Sequence, residues 1–292
     1  MSTMEGNMGS GPIKSVTVIS TGSGEVHPEH ILGTRKPTLW WILTSRRWVW
    51  IPIYVFVIEH QDGLVLFDAG MDPAVVTNPD YFPDKVTAFF MRRIFRFHQG
   101  PEDTLARQLE IAGYSPSQVR TAVISHLHFD HAGGIRDIPQ ADLVVSREAW
   151  EHMNGPHPER EGVLKRDLDI PEARWRRIGF EPVDDPSLAP FDHAYDLMGD
   201  GSLILLPTPG HLPGSISMLI RRAPAPPLLL IGDLAYSLAA MERGQIPGTG
   251  DNTELRRTYD KVLQLRASIP ELLVLPSHDR KAVEALEKLT AA

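Results

Sequence analysis

Cysteine is absent from this chain of 292 residues, and that absence limits both its stabilisation and its chemistry. Disulfide bonds are excluded, and any bound metal ion must be held by histidine and carboxylate side chains. The lack of cysteine is consistent with a cytoplasmic location, which we take as the expected compartment.

Long apolar runs and an excess of basic residues are also missing. The most apolar stretch, residues 48–58, is interrupted by Pro52 and is too short to span a membrane. The formal net charge of −8 argues against a nucleic-acid partner, since such a partner favours a basic face. Hydrophobic residues make up 42% of the chain and charged residues 23%, which is ordinary for a globular protein.

The beginning of the chain differs in composition from the rest. It is rich in Gly, Ser and Met and has no apolar core, which argues against a secretory signal. We predict a flexible N-terminus over residues 1–14 and a single domain over residues 15–292, a length sufficient for a large hydrophobic core. The oligomeric state is not decided at this stage, and a homodimer is left open.

The most distinctive stretch is residues 125–134, where three imidazoles and a carboxylate fall within six residues. Neutral imidazole and carboxylate are ligands for Zn, Fe, Co and Mn. Residues 121–124 predict a short buried strand just before it, so the ligands follow a strand end. Gly133 and Gly134 would let the backbone turn close to a metal ion. The stretch reads Ser125-His126-Leu127-His128-Phe129-Asp130-His131-Ala132-Gly133-Gly134.

Four further histidine and aspartate residues stand after apolar runs elsewhere in the chain. The runs cover residues 64–67, 203–206, 228–231 and 272–275, and each predicts a strand. A sheet that carries ligands at the ends of its strands would bring them together on one rim. These residues are Asp68, His211, Asp233 and His278.

Taken in order, these motifs resemble the signature of the metallo-β-lactamase-like hydrolase superfamily over residues 64–279. The resemblance implies an α/β fold, a four-layer αββα sandwich with two central mixed sheets and helices on both outer faces. It also implies two divalent metal ions per chain, with Zn²⁺ expected and Co, Mn or Fe as alternatives. Asp68 would orient a ligand histidine without binding metal. The implied ligands are His126, His128 and His211 for one ion, Asp130, His131 and His278 for the other, and Asp233 as a bridge.

Tyr236 narrows the substrate that the resemblance implies. N-acyl-homoserine lactone lactonases of this superfamily carry a tyrosine three residues after the bridging aspartate, directed at the substrate carbonyl. Their metal loop also has Phe after the second histidine and Ala-Gly-Gly after the third, as this chain does. The implied activity is opening of the lactone ring by a metal-bridging hydroxide, which is quorum quenching. The implied catalytic residues are Asp130 as proton donor, Asp233, and Tyr236 as a hydrogen-bond donor to the oxyanion.

Other activities of the same metal site stay open. An organophosphate triesterase, or another ester hydrolase of the superfamily, would use the same ligands. A glutathione thioester hydrolase is disfavoured because only 14 residues follow His278, too few for the C-terminal helical domain of those enzymes. A nuclease would want a basic exosite. A non-catalytic metal-binding protein would be suggested by a lost ligand, and none is lost.

The acyl chain of such a substrate would need an apolar groove. Residues 21–37 contain several Gly and Pro residues and predict a loop, so His27 and His30 are expected to be exposed and outside the metal set. We place the groove beside the metal site and in two aromatic segments, since tryptophan and phenylalanine offer large contact areas. The predicted groove residues are Phe129, Trp40, Trp41, Trp48, Trp50, Phe89 and Phe90.

Overall fold

The computed structural model describes residues 11–290 of the chain. The part of the predicted flexible N-terminus over residues 1–10 therefore lies outside the described residues. Ile13 and Lys14 already belong to the first strand. Every helix within residues 11–290 is too short or too polar to cross a lipid bilayer.

The first sheet has seven strands and is mixed. Its strands are β1 (Ile13–Val26), β2 (Val49–His60), β3 (Gly63–Phe67), β4 (Phe95–His98), β5 (Val119–Val123), β6 (Asp142–Ser146) and β7 (Arg174–Ile178). They lie in the order β4-β1-β2-β3-β5-β6-β7. The strands from β4 to β3 pair antiparallel, whereas β3, β5, β6 and β7 run parallel.

The second sheet has six strands. They are β8 (Glu181–Pro182), β9 (His193–Asp196), β10 (Leu203–Pro207), β11 (Ile216–Ile220), β12 (Leu228–Gly232) and β13 (Leu273–Pro276). Their order is β13-β12-β11-β10-β9-β8. Because β10, β11 and β12 alternate in direction and β13 is parallel to β12, strands β10, β12 and β13 point the same way.

Helices lie on the outer faces and at the rims of the two sheets. The longest, α10, begins after Asp251, whose side chain accepts hydrogen bonds from the backbone N–H groups of Thr253 and Glu254 and so caps the helix. The helices are α1 (Pro28–Leu32), α2 (Thr38–Thr44), α3 (Ala74–Thr77), α4 (Lys85–Ile94), α5 (Leu105–Ile111), α6 (Phe129–Ala132), α7 (Arg147–Met153), α8 (Lys165–Leu168), α9 (Leu238–Glu242), α10 (Asn252–Ser268) and α11 (Arg280–Thr290).

Alternation of side chains along the strands produces the layers. In β3, Val65 and Phe67 belong to the apolar core between the sheets, whereas Leu64 and Leu66 pack in the cluster that contains α5 and α7. The central strands of the second sheet alternate in the same way between that shared core and the apolar face of α10. The predicted αββα four-layer sandwich is therefore confirmed.

The predicted loop over residues 21–37 is wrong for most of its length, because β1 runs to Val26 and α1 covers Pro28–Leu32. β1 continues to Val26 because it keeps its pairing with β2 beyond a bulge between Ser20 and Ser23. Gly22 permits the bulge, since its φ is +125° and a Cβ there would meet the His98 carbonyl oxygen at 2.8 Å. The glycine and proline residues that suggested a loop thus mark a bulge in β1 and the first turn of α1.

Candidate metal centre

The predicted ligands follow the carboxyl ends of strands in both sheets. Parallel β3 and β5 bring Asp68 and His126 to one edge of the first sheet. The shared direction of β10, β12 and β13 brings His211, Asp233 and His278 to one edge of the second. The site therefore lies where the two edges meet.

Backbone hydrogen bonds join these two edges directly. The Ser125 carbonyl accepts from the N–H of Ile216 at 2.8 Å, and the Ser277 carbonyl accepts from the N–H of Tyr54 at 3.3 Å. Ligand loops of the two sheets are thus held against each other by the fold itself. If one sheet moved relative to the other, the ligands that it carries would move away from those of its partner sheet.

The seven predicted ligands converge in three overlapping groups. Within each group the donor atoms lie within 4.8 Å of one another, as metal coordination requires. Six of the seven side chains are buried, and His128 is half-buried. The groups are His126, His128 and His211; His126, His131 and Asp233; and Asp130, His131 and His278.

The donor set around His131 and His278 is arranged for a cation. His131 Nδ1 lies 2.8 Å from a carboxylate oxygen of Asp68, and His278 Nδ1 lies 2.6 Å from the Pro52 carbonyl oxygen. Both Nδ1 atoms must therefore donate, which leaves lone pairs on the Nε2 atoms in the neutral rings. Those Nε2 atoms are 3.3 Å apart, and each is 3.1 Å from Asp233 Oδ1, which no hydrogen bond satisfies.

The group of His126, His128 and His211 shows the same arrangement. His128 Nε2 donates to the Glu161 carbonyl oxygen at 2.6 Å, so its Nδ1 carries a lone pair. That Nδ1 lies 2.9 Å from His126 Nε2 and 3.1 Å from His211 Nε2. Ser125 Oγ, which donates to Asp68, can accept from His126 Nδ1 at 3.0 Å, and this leaves a lone pair on His126 Nε2 as well. The lone pairs of His126 Nε2 and His128 Nδ1 then face each other and repel unless a cation lies between them. The residues present therefore fit two divalent ions.

Electrostatics agree with this donor geometry. Burial, reinforced by the neighbouring imidazoles, lowers the pKa of His126 and His211 well below the ordinary value, so both rings are neutral ligands. Burial also disfavours the charged ring of His131, but the carboxylates of Asp233, Asp68 and Asp130 raise its pKa well above the usual range. This excess of negative charge is what a bound cation would neutralise.

Asp68 holds the first sheet's ligand loop from behind. One carboxylate oxygen accepts from the Ser125 N–H at 2.7 Å, and the other from Ser125 Oγ at 3.1 Å and His131 Nδ1 at 2.8 Å. Its backbone is left-handed, with φ of +67°, an uncommon conformation for a residue other than glycine. The strained position is therefore used to direct the carboxylate at several donors at once.

The two glycines after the histidine motif serve a different neighbour from the one we predicted. A Cβ on Gly133 would meet the Asp72 nitrogen at 2.2 Å, and one on Gly134 would meet the Ala69 oxygen at 2.3 Å. They allow the segment after β3 to pack against α6, with the Gly133 N–H donating to the Gly70 carbonyl at 2.7 Å. The glycines therefore allow close backbone packing against the segment that follows Asp68.

Tyr236 lies against the ligand cluster and is bonded to a residue that the sequence reasoning left out. Its ring stacks on His278 with centroids 5.4 Å apart and planes at 10°. Its hydroxyl is 2.9 Å from Nε2 of His30, and both side chains are buried. Burial, with the charges of Asp233 and Asp130, raises the pKa of Tyr236 well above its ordinary value, so the phenol keeps its proton.

Comparison with known proteins assigns the family. The model of the metallo-beta-lactamase superfamily matches residues 48–278. This chain belongs to that superfamily. An N-acyl homoserine lactonase AttM of Rhizobium radiobacter is 31% identical over 80% of this chain and 83% of its own length. The N-acyl homoserine lactonase AiiA of Bacillus thuringiensis subsp. kurstaki is 26% identical over 81% of this chain and 85% of its own.

A solved structure has the same fold. It is an N-acyl homoserine lactone hydrolase with the product N-hexanoyl-L-homoserine bound at its catalytic metal centre. It superposes with a TM-score of 0.75 over 94% of this chain and 96% of that one, at 22% identity. At 22% identity this likeness shows that the two proteins share a fold.

A cavity of about 820 Å³ opens over the metal centre of this superfamily member. Its size lies in the range of small-molecule sites. His128, Asp130, Asp233 and Tyr236 line its floor, and His30 lines it too. One wall is apolar and consists of Ile42, Ile51, Met91, Ile94, Phe95 and Phe129.

Six of the seven predicted groove residues do not line this cavity, so the prediction is wrong for them. Phe129 lines it. Trp40, Trp50 and Phe89 face outward, with 62%, 50% and 53% of their surfaces exposed. The remaining three, Trp41, Trp48 and Phe90, pack within the protein: Trp41 and Phe90 in the cluster of α2 and α4, and Trp48 against His27.

The two aromatic segments do contribute to the cavity wall, but through other side chains than the predicted ones. On α2 it is Ile42 that faces inward, and on α4 it is Met91 and Ile94, because each helix buries one face. A residue's place on that face depends on where the helix begins, and aromatic content does not show it.

The predicted exposure of His27 and His30 is also wrong. Both are buried, with 0% and 3% of their surfaces exposed. The ring nitrogens of His27 lie 2.8 Å from the carbonyl oxygens of Arg47 and Arg93, so this side chain ties the chain before β2 to the end of α4. No local pattern indicates these contacts, because their partners lie 20 and 66 residues away.

Proposed function

We propose that this chain is a metal-dependent lactonase that opens the lactone ring of N-acyl homoserine lactones. The observation that carries the proposal is the Tyr236 hydroxyl, held beside the ligand cluster on the floor of a cavity with one apolar wall. Such a site offers a polar end for the lactone and an apolar path for an acyl chain. The curated relatives that carry the lactonase name support the same substrate class.

Two divalent ions would be held by the seven converging side chains. When bound there, they would lower the pKa of a water molecule and polarise the ester carbonyl. Imidazole and carboxylate donors suit zinc, which we propose as the native ion. Asp68 keeps the Nδ1 proton of His131 in place, so that Nε2 stays available as a donor atom.

Tyr236 acts on the substrate by donating its single hydroxyl proton to the lactone carbonyl oxygen. For that, its oxygen must accept a hydrogen bond from His30 Nε2, 2.9 Å away. Burial lowers the pKa of His30 to about 3, so the ring is neutral and carries one proton. His30 Nδ1 has no hydrogen-bond partner within residues 11–290, which fits a ring whose proton is on Nε2. His30 is thus a positioning residue that aims the phenol.

We assign Asp130 to proton transfer at the leaving oxygen. Its carboxylate lines the cavity and lies 3.8 Å from both His131 Nε2 and His278 Nε2. A carboxylate at the cavity floor can take up the proton that the attacking water releases and return it to the ring oxygen as the ester bond breaks. The acyl chain then extends along Ile42, Met91 and Ile94.

A substrate panel tests the proposal. Purified, fully metallated protein is offered homoserine lactones of several chain lengths, aryl esters, a paraoxon-type triester and a β-lactam. We expect the highest kcat/KM on acyl-homoserine lactones, with the ring-opened acid as product. Faster cleavage of the triester would assign the protein to the organophosphate triesterases, the alternative that the same metal site serves. The cytoplasmic location stays a prediction, and the oligomeric state stays open.

A further inference from the structure

Helices α2 and α4 have two apolar faces each, and only one of them is covered. Their inner faces contribute Ile42, Met91 and Ile94 to the cavity wall and pack against each other. The outer face carries large apolar side chains that stand in solvent. Together with the start of β2 they form what we call the roof surface: Leu39, Trp40, Leu43, Val49, Trp50, Val86 and Phe89, each between 39% and 66% exposed.

Hydrogen bonds join the segments that carry the roof surface. Arg93 Nη2 on α4 donates to the Leu43 carbonyl oxygen on α2 at 2.6 Å, and His27 bridges the carbonyl oxygens of Arg47 and Arg93. Since the inner faces of both helices point into the same cavity, their outer faces point away from it. Isolated exposed apolar residues are ordinary, but seven on segments that are joined to one another, with three large aromatic rings, are typical of an interaction site.

Charge around the roof surface is mostly positive, although Glu29 pairs with Lys36, Glu25 pairs with Arg96 and Asp84 caps α4. Eight of the chain's 29 Lys and Arg residues, and none of its 37 Asp and Glu residues, lie in segments 30–58 and 85–101. Within residues 11–290 Arg46 and Arg47 are exposed and form no ion pair, and the same holds for Arg35 and Lys85. A chain with a net charge of −8 therefore concentrates unpaired positive charge on one apolar face.

We propose that the roof surface docks on an anionic phospholipid bilayer. Exposed tryptophan and phenylalanine rings insert at the boundary between headgroups and acyl chains, and adjacent arginines contact the anionic headgroups. A second copy of the chain fits less well, because a two-fold contact would bring the same arginines of both copies together. Docked in this way, the cavity edge formed by α2 and α4 lies at the lipid surface, within reach of apolar solutes dissolved in it.

Vesicle flotation tests the proposal without any use of lactonase activity, so it fails or succeeds independently of the proposed function. Full-length metallated protein is mixed with vesicles of phosphatidylcholine alone, or of equal parts phosphatidylcholine and phosphatidylglycerol. We expect flotation with the anionic vesicles only, and its loss when the salt concentration is raised to about 0.5 M.

Charge and apolar variants separate the two contributions. Each basic residue close to an anionic surface strengthens binding roughly fivefold, so R46E/R47E should weaken it by at least about thirtyfold. The matched control is R256E/R257E, a neighbouring pair of exposed arginines on α10 outside the roof surface. Trp40→Ser should also weaken binding, whereas Ile111→Ser, at a site 60% exposed on α5, should not. Unfolding temperatures of all four variants are measured to check that each is folded.

Three results would overturn the proposal. One is the absence of flotation with anionic vesicles at low salt. Another is equal weakening by R46E/R47E and by its α10 control, which would mean that total charge decides. The third is a change from dimer to monomer on Trp40→Ser in sedimentation, with no binding to vesicles, which would assign the roof surface to contact between copies.

Discussion

The metal centre and the roof of the cavity are built in opposite ways. At the metal centre, side chains from both sheets point at a common space, and four of the imidazoles make a second hydrogen bond on the far side of the ring, as His131 does with Asp68. The roof consists of α2 and α4, which meet the rest of the cavity through one apolar face each and expose the other. At the metal centre the position of each donor atom matters, whereas in α2 and α4 only the apolar character and shape of the inner face matter.

This difference predicts how each region tolerates substitution. A metal ion needs its full set of donor atoms, so a single substitution at the metal centre should cause a large loss of metal binding and activity. An apolar wall is rebuilt by whichever side chains face inward, so changes in the roof should be mild and graded. Four experiments test this contrast, from the largest expected effect to the smallest.

The largest effect is expected from loss of a ligand. Asp233→Ala removes the carboxylate that lies 3.1 Å from two imidazole nitrogens, and should disturb binding of both ions. We expect kcat/KM to fall by at least about a thousandfold, equivalent to roughly 4 kcal/mol. Elemental analysis should show the loss of metal. His193→Ala, an exposed histidine on β9, is the control, and an active Asp233→Ala protein with full metal content would refute the assignment.

A smaller loss of metal affinity is expected from Asp68, which binds no metal itself and accepts a hydrogen bond from the ligand His131. Asp68→Asn keeps the shape of the side chain but removes the charge that accepts from Ser125 and His131. Metal affinity, measured by competition with a chelator, should fall by about 10- to 100-fold. kcat of the fully loaded variant should fall less than its metal affinity. An unchanged affinity would mean that the fold alone orients His131.

Substitution of either His30 or Tyr236 should lower kcat/KM about tenfold, and substitution of both should lower it by little more. Tyr236→Phe should lower kcat/KM roughly tenfold, or about 1.4 kcal/mol, with unchanged metal content. His30→Leu should cost a similar factor alone and almost nothing in the Tyr236→Phe background, because it acts through the phenol.

Rescue distinguishes positioning from packing in the same pair. His30→Gln places an amide N–H near the position of Nε2 and should restore much of the activity that His30→Leu loses. If the leucine and glutamine variants are equally impaired, or if the two substitutions multiply, the hydrogen bond at 2.9 Å does not carry the effect.

The smallest effect belongs to the roof. Ile94→Val removes one methylene from the cavity wall, which is worth at most about 0.8 kcal/mol against a long acyl chain, or roughly fourfold. The ratio of kcat/KM for long and short acyl chains should fall by up to that factor. Val86→Ala, on the outer face of the same helix at 66% exposure, should leave the ratio unchanged in solution. Equal effects would mean that the cavity wall lies elsewhere.

The same contrast explains which parts of the molecule could be predicted. His126, His128, Asp130 and His131 stand within six residues, and a strand end before a cluster of donors is a local pattern. The strands that carry His211, Asp233 and His278 could be recognised from their apolar runs. The fold followed from the resemblance that these motifs carry, and the structure and the family both confirm it.

The roof and the residues behind the site could not be predicted in the same way. Ile42 and Trp41 are neighbours in sequence, and only the packing of α2 decides that Ile42 faces the cavity. His30 is 206 residues from Tyr236, and its role depends on β1 continuing to Val26 before α1 begins. Gly22 suggested a loop because glycine is frequent in loops, whereas here its positive φ serves a bulge in β1.

The sequence by itself therefore determined the donor chemistry of this protein. Without cysteine, histidine and aspartate must hold its metal ions, and they stand in a recognisable order after apolar strands. Tertiary structure decided the direction of every lone pair, the partner of Tyr236 and the inward face of each roof helix. The physical reason is that ligand identity is a property of single residues. Direction and burial arise only when segments distant in sequence pack together.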